Sequence, residues 1–291
     1  MSTSGVRFLA SCWTSAGDVV PGRTDPVSPV PIEERVAAVA RAGYTGFGIS
    51  ALDLEHVRDT IGYAGFSTLL AEHGLRDVEL EYLEDWWSTG IRREESDRIR
   101  SVLLDAAAEL GARHIKVGLG DRQSADDEAR FAPELSRLAD DAQSVGTRIG
   151  LEPPATSMIP TLRQASRLVR DVAHPAAGLL VDIWHVVRSG TTFDELVTFL
   201  PPEYIFAAEL SDGARLPVGS LFDDTFDYRL LPGEGEFGVA GFVTALRFLG
   251  FDGPWGLEVM SIAQRALPVT EAVEKAIEAA RQVFDRLPDT D

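Results

Sequence analysis

Apolar residues in this chain come in short blocks of strand length, at 6–11, 45–50, 77–82, 114–118, 147–152, 178–182, 204–209 and 255–259. Polar loops bound each block, the pattern of parallel strands covered on both faces. Segments of helical spacing fill the gaps. Pro31, Ile32, Glu33 and Glu34 open one, with proline and acids in the first turn, and Gly43 closes it. From Arg93 to Leu110, Ile99, Val102, Leu103, Ala106 and Leu110 recur on one face, and Gly111 ends the run. Further helices are predicted over 126–145, 239–249 and 270–284. Eight alternating units predict a closed (β/α)8 TIM barrel rather than an open doubly wound sheet. No glycine-rich phosphate fingerprint follows the first strand, which counts against a dinucleotide fold. Such a barrel commonly uses about 250 residues as one domain, so a single domain is expected over 1–291, with no linker.

Four of the blocks end in a carboxylate: Glu152, Asp182, Glu209 and Glu258, successively 30, 27 and 49 residues apart. In a closed barrel, strand ends distant in sequence converge on one mouth. Four acids there would repel one another, so a cation or a shared proton is expected among them. His185 lies three residues after Asp182, in the turn to the next helix, and is the histidine best placed for that mouth. His56, His73 and His174 fall away from strand ends, and His114 begins the fourth strand. Lys116 interrupts the apolar fourth strand. It either meets substrate or one of the acids inside the barrel, or points outward between helices. Glu81 ends the third strand, with Glu79 one layer deeper on the same side, so at least one of them is expected in a structural ion pair. Trp13, Trp86 and Trp87 follow strand ends and either wall a pocket or pack under a helix. The two long loops, 14–31 and 212–237, belong to the mouth face, where such loops shape pockets. Arg229-Leu-Leu-Pro232-Gly-Glu234-Gly235 closes the second, and its arginine suits recognition of oxygens.

Composition narrows the partners. With 46 acids against 27 Lys and Arg, the net charge of −19 opposes binding to nucleic acid or to an acidic membrane surface. No apolar run approaches the roughly 20 residues of a membrane span. The first residues lack a basic region followed by an apolar stretch, so no signal peptide is expected. The single Cys12 fits a reducing compartment, and a cytoplasmic location is expected.

Several motifs taken in order resemble the sugar phosphate isomerase/epimerase superfamily, the xylose isomerase-like barrels. They are Leu151-Glu152-Pro153, Asp182-x-x-His185, Asp212 after the seventh strand, Arg229-x-x-Pro232-Gly-x-Gly235, and Gly253-Pro254-Trp255-Gly256-x-Glu258. The resemblance implies that Glu152, Asp182 and Glu258 are metal ligands, that Glu152 and Glu258 also exchange protons with substrate, and that His185 and Arg229 bind substrate. Lys116 joins this substrate-binding set on its own position. The family's usual histidine ligand after the seventh strand is Glu209 here. With Glu209 as fourth ligand the set is all oxygen, which favours Mn²⁺ or Mg²⁺ over Zn²⁺. The expected function is a divalent-metal-dependent isomerase or epimerase acting on a keto-sugar or keto-polyol through an enediolate. A dehydratase of a keto-inositol or related keto-polyol is the alternative, and a non-catalytic sugar-binding barrel a lesser one. A DNA-repair endonuclease on this fold needs more histidines and a basic face. The expected partner is a small sugar or polyol; oligomeric state, a homo-oligomer included, stays open.

Overall fold

The computed structural model describes residues 5–120 and 128–287. Eight parallel strands close into a barrel in sequence order: β1 (Phe8–Ala10), β2 (Gly46–Ser50), β3 (Asp77–Leu83), β4 (His114–Val117), β5 (Ile149–Leu151), β6 (Ala177–Asp182), β7 (Ile205–Leu210) and β8 (Trp255–Leu257). Each lies within a residue or so of its expected block. Closure is made by β1 on β8, with Phe8 beside Trp255 and Ala10 beside Leu257.

The connecting helices are α1 (Cys12–Ser15), α2 (Ile32–Ala42), α3 (Ala51–Thr60), α4 (Gly62–Glu72), α5 (Ile91–Leu110), α6 (Glu128–Ser144), α7 (Leu162–Val172), α8 (Ile183–Arg188), α9 (Phe193–Phe199), α10 (Leu221–Asp227), α11 (Val239–Phe248), α12 (Ile262–Arg265) and α13 (Val269–Asp285). The expected start of α6 at Asp126 lies outside the described residues. The stop signals act as expected. Gly43 takes φ 91°, and its N–H returns to the carbonyls of Val39 and Ala40. None of the helices among the described residues is long and apolar enough to cross a membrane.

The main apolar core fills the layer between barrel and helices. Phe8, Trp255 and Phe284 of α13 pack edge to face at 5.3 and 5.5 Å. Trp86 and Trp87 are buried against each other and against Phe131 of α6, so they pack under a helix. The barrel interior is different. Glu79, Glu81, Lys116, Glu209 and Glu258 are all buried, and ion pairs link them. That charged interior fixes where chemistry can occur.

Candidate active site at the barrel mouth

Strand register brings the four acids to one level. Asp182 on β6 pairs with Glu209 on β7, and Glu209 with Gly256 on β8, two residues before Glu258. Glu152 directly follows β5. One carboxylate oxygen from each of Glu152, Asp182, Glu209 and Glu258 lies within 4.8 Å of the others. Gly256 leaves room for this arrangement: a Cβ there would sit 2.7 Å from Glu209 Cγ.

Two buried cations meet the cluster, Lys116 from within β4 and Arg229 from the loop after β7. Lys116 points inward, and its Nζ lies 2.7 Å from Glu209 Oε1, 2.8 Å from Glu258 Oε1 and 3.1 Å from Glu81 Oε2. Arg229 Nη1 lies 2.8 Å from Asp182 Oδ2 and 2.9 Å from Glu258 Oε2. Its Nε donates to the Thr225 carbonyl and its Nη2 to Thr225 Oγ1. Both side chains therefore hold acids, and their substrate contact remains an expectation. Below them Glu79 is hydrogen-bonded to His114 at 2.7 Å, and the structural ion pair expected of β3 is the one Glu81 makes with Lys116.

The carboxylates are not equivalent. Both oxygens of Glu258 face a cation, and Ser11 Oγ also donates to Oε1. Burial would raise its pKa, but Lys116 and Arg229 outweigh burial and bring it down to about 2. Glu152 is the opposite case. Its Oε1 is buried without a hydrogen-bond partner among the described residues. Burial raises its pKa well above the usual range, with Lys116 opposing less strongly. Burial and the Glu258 charge likewise raise Glu209, whose Oε2 also lacks a partner. Burial lifts Asp182 in the same direction, against Arg229.

His185 stands over Glu152 and Asp182, its Nε2 3.7 Å from an oxygen of each. The Ala155 N–H donates to Nδ1. Burial, then Arg229, pushes the imidazole well below its usual pKa, so it is neutral. A neutral ring that accepts at Nδ1 carries its proton on Nε2, directed at the mouth.

Glu152 Oε1 and Glu209 Oε2 are the kind of buried orphan acceptors that a divalent cation satisfies. With Asp182 and Glu258 beside them, the all-oxygen set fits such an ion. Tyr82 is a neighbour the sequence reading missed. Its buried hydroxyl has no hydrogen-bond partner among the described residues, and burial and the Glu152 charge raise its pKa. A Cβ on Gly118 would overlap that hydroxyl, so the glycine is what admits it. Strict alternation along β3 points Tyr82 away from Glu81, but the register shifts between Leu80 and Leu83.

Asp212 builds the adjoining loop. Its Oδ1 accepts from the N–H of Gly213 and Phe237, and its Oδ2 from that of Gly233. Asp212 and Leu230 form an antiparallel bridge that carries Arg229 into the barrel.

The chain is 29% identical over 252 residues to a 3-dehydroshikimate dehydratase of Pseudomonas putida, covering 82% of this chain and 38% of that protein. It is 28% identical over 146 residues to an inosose isomerase of Bacillus subtilis, covering 49% of this chain and 50% of the other. The chain thus spans half or less of the length of these curated relatives. Among solved structures, the IolI protein crystallised with a bound zinc atom superposes with a TM-score of 0.83 at 17% identity, covering 98% of this chain and 100% of that one. The profile of the xylose isomerase-like TIM barrel matches residues 36–285, so the chain belongs to the xylose isomerase-like TIM barrel family.

Proposed function

We propose that this protein removes the proton next to the carbonyl of a small hydroxylated ketone, with Glu152 as the base. The observation that carries this reading is the inequality of Glu152 and Glu258. Glu258 is clamped by two cations and ionised, which makes it a weak base. Glu152 has one oxygen without a partner and a pKa raised by burial, as a base working near neutral pH needs. His185 Nε2–H donates a hydrogen bond to a substrate oxygen. Glu152, Asp182, Glu209 and Glu258 would hold a divalent cation, Mn²⁺ or Mg²⁺ before Zn²⁺, whose contribution is to stabilise negative charge on the substrate's oxygens.

Proton removal leaves an enediolate, and its fate sets the reaction. Dehydration stands first. The proton held by Glu152 passes to a hydroxyl β to the carbonyl, water leaves, and the carboxylate is regenerated. The dehydratase match over 82% of this chain supports that outcome. Isomerisation is the second reading, favoured by the inosose isomerase match over about half the chain. There Glu152 returns the proton to the neighbouring carbon. Both outcomes need one mobile base. Epimerisation needs a second on the opposite face, and the clamped Glu258 serves that role poorly.

The test is exchange of substrate hydrogen. With Mn²⁺ in deuterated water, 3-dehydroshikimate and a panel of keto-inositols should lose α-hydrogen signal by NMR, and one should form a conjugated product or an isomer. Glu152→Gln should slow exchange at least about 10²-fold, the lower end for general-base catalysis. No exchange with any of these ketones, or normal exchange in Glu152→Gln, would refute the reading.

A further inference from the structure

Lys116 is a fully buried ammonium whose side chain is 1% exposed, inside an acidic cluster. A lone buried charge is costly, and a buried pair repays that cost only when its partners are well placed. Here Glu209 is the nearest of three carboxylates. Glu209 Oε1 lies 2.7 Å from Nζ, while Glu209 Oε2 is left buried without a partner. Glu258 Oε1 is the second contact, at 2.8 Å, and Glu81 the third, at 3.1 Å. Glu81 Oε1 accepts from the Cys12 N–H, which leaves Oε2 facing Lys116. The acids around the site (Glu152, Asp182, Glu209 and Glu258, with Glu81 also on Lys116) outnumber its two cations (Lys116 and Arg229), an imbalance that a divalent ion would reduce.

We propose that Lys116 and Glu209 act as one matched unit, in which the ammonium neutralises Glu209 through Oε1 and leaves Oε2 as the atom offered to a divalent cation. The fourth ligand position then carries no net charge although a carboxylate occupies it. Lys116 is a positioning residue for the metal site and sets its affinity. Without it, the cluster would hold a further uncancelled negative charge, bind divalent ions more tightly, and be less stable without them. This inference rests on the metal-assisted reading above.

The test uses four full-length proteins: wild type, Lys116→Met, Glu209→Gln and the double variant. Each is measured for Mn²⁺ affinity by calorimetry and for thermal stability without metal. Lys116→Met should bind Mn²⁺ at least about tenfold tighter, and Glu209→Gln at least about tenfold weaker, because each changes the charge facing the ion by one unit. The double variant should return towards wild type in affinity, as two opposite charge changes require, and should recover metal-free stability instead of summing the two losses, which is where the pairing shows. If Lys116→Met does not fold without metal, the double variant must. Weaker Mn²⁺ binding in a folded Lys116→Met, or losses that add in the double variant, would overturn the pairing. If none of the four binds Mn²⁺, the metal reading fails together with the ligand half of this proposal. The ion pair is then judged on the metal-free stabilities alone, where additive losses reject it.

Discussion

At the scale of single residues, the site works through inequality among similar groups. Asp182 is held by the Trp184 N–H and by Arg229, and Glu258 by Lys116 and Arg229. Glu152 and Glu209 each keep one oxygen without a partner. The acids and their spacing were legible in the chain, because an acid after an apolar run marks a strand end. Which acid stays basic was not, since that depends on where Lys116 and Arg229 reach. The side taken by Lys116 was also hidden: a strand apolar on both faces gives no phase to tell inside from outside. His185 yields a direct prediction. With the Ala155 N–H fixing Nδ1 as acceptor, Nε2 can donate to substrate but cannot ligate a metal without losing its proton. His185→Ala should therefore lower kcat/KM by about tenfold, near the worth of one hydrogen bond, while Mn²⁺ content stays at the wild-type level. Metal analysis showing depleted Mn²⁺ in His185→Ala would instead make it a ligand.

At the scale of elements, the eight strands were legible because each is an apolar block between polar loops, and glycine stops fixed the ends of α2, α5 and α11. The helices within 51–72 were not. Only Phe66 and Leu70 of α4 are fully buried, so that segment presents no broad apolar stripe to read. The loop over 212–237 hides α10, started by a capping box between Ser220 and Asp223. What holds this loop in place is Asp212, whose carboxylate accepts from three backbone N–H groups at Gly213, Gly233 and Phe237. Removing it strands two buried donors, at Gly213 and Phe237, besides that of the exposed Gly233, and each buried unsatisfied group costs about 1–3 kcal/mol. Asp212→Ala should lower unfolding free energy by at least about 2 kcal/mol in urea titration. Because Arg229 enters the barrel next to the Asp212–Leu230 bridge, displacing it takes a cation away from Asp182 and Glu258, and the variant should bind Mn²⁺ more tightly. A stable variant with unchanged affinity would show that the loop is held by other contacts.

At the scale of the whole molecule, the barrel concentrates buried negative charge where a simpler fold would place aliphatic layers. Burial raises Glu152, Asp182 and Glu209 above their usual range, so each resists ionisation in the folded state. Ionising them at neutral pH therefore costs stability that the unfolded chain does not lose. A divalent ion held at the mouth as proposed would remove that cost and bind the assembled site only, since the four acids come from the ends of β5, β6, β7 and β8. Ligands that bind only the native state stabilise it by mass action, by about 2.7 kcal/mol at a hundredfold excess over Kd. For a domain of this size, that corresponds to a rise in Tm of roughly 5–10 °C. Mn²⁺ added to chelator-treated wild type should produce such a rise in a thermal melt, and Mg²⁺ a smaller one. Glu152→Gln/Glu258→Gln lacks two ligand charges and should lose the response, and it should melt lower than metal-free wild type because Glu258→Gln leaves Lys116 and Arg229 buried without the carboxylate they share. An equal metal-induced rise in that double variant would place the ion elsewhere on the acidic surface, and the mouth would then have to manage its charge with shared protons and the two buried cations alone.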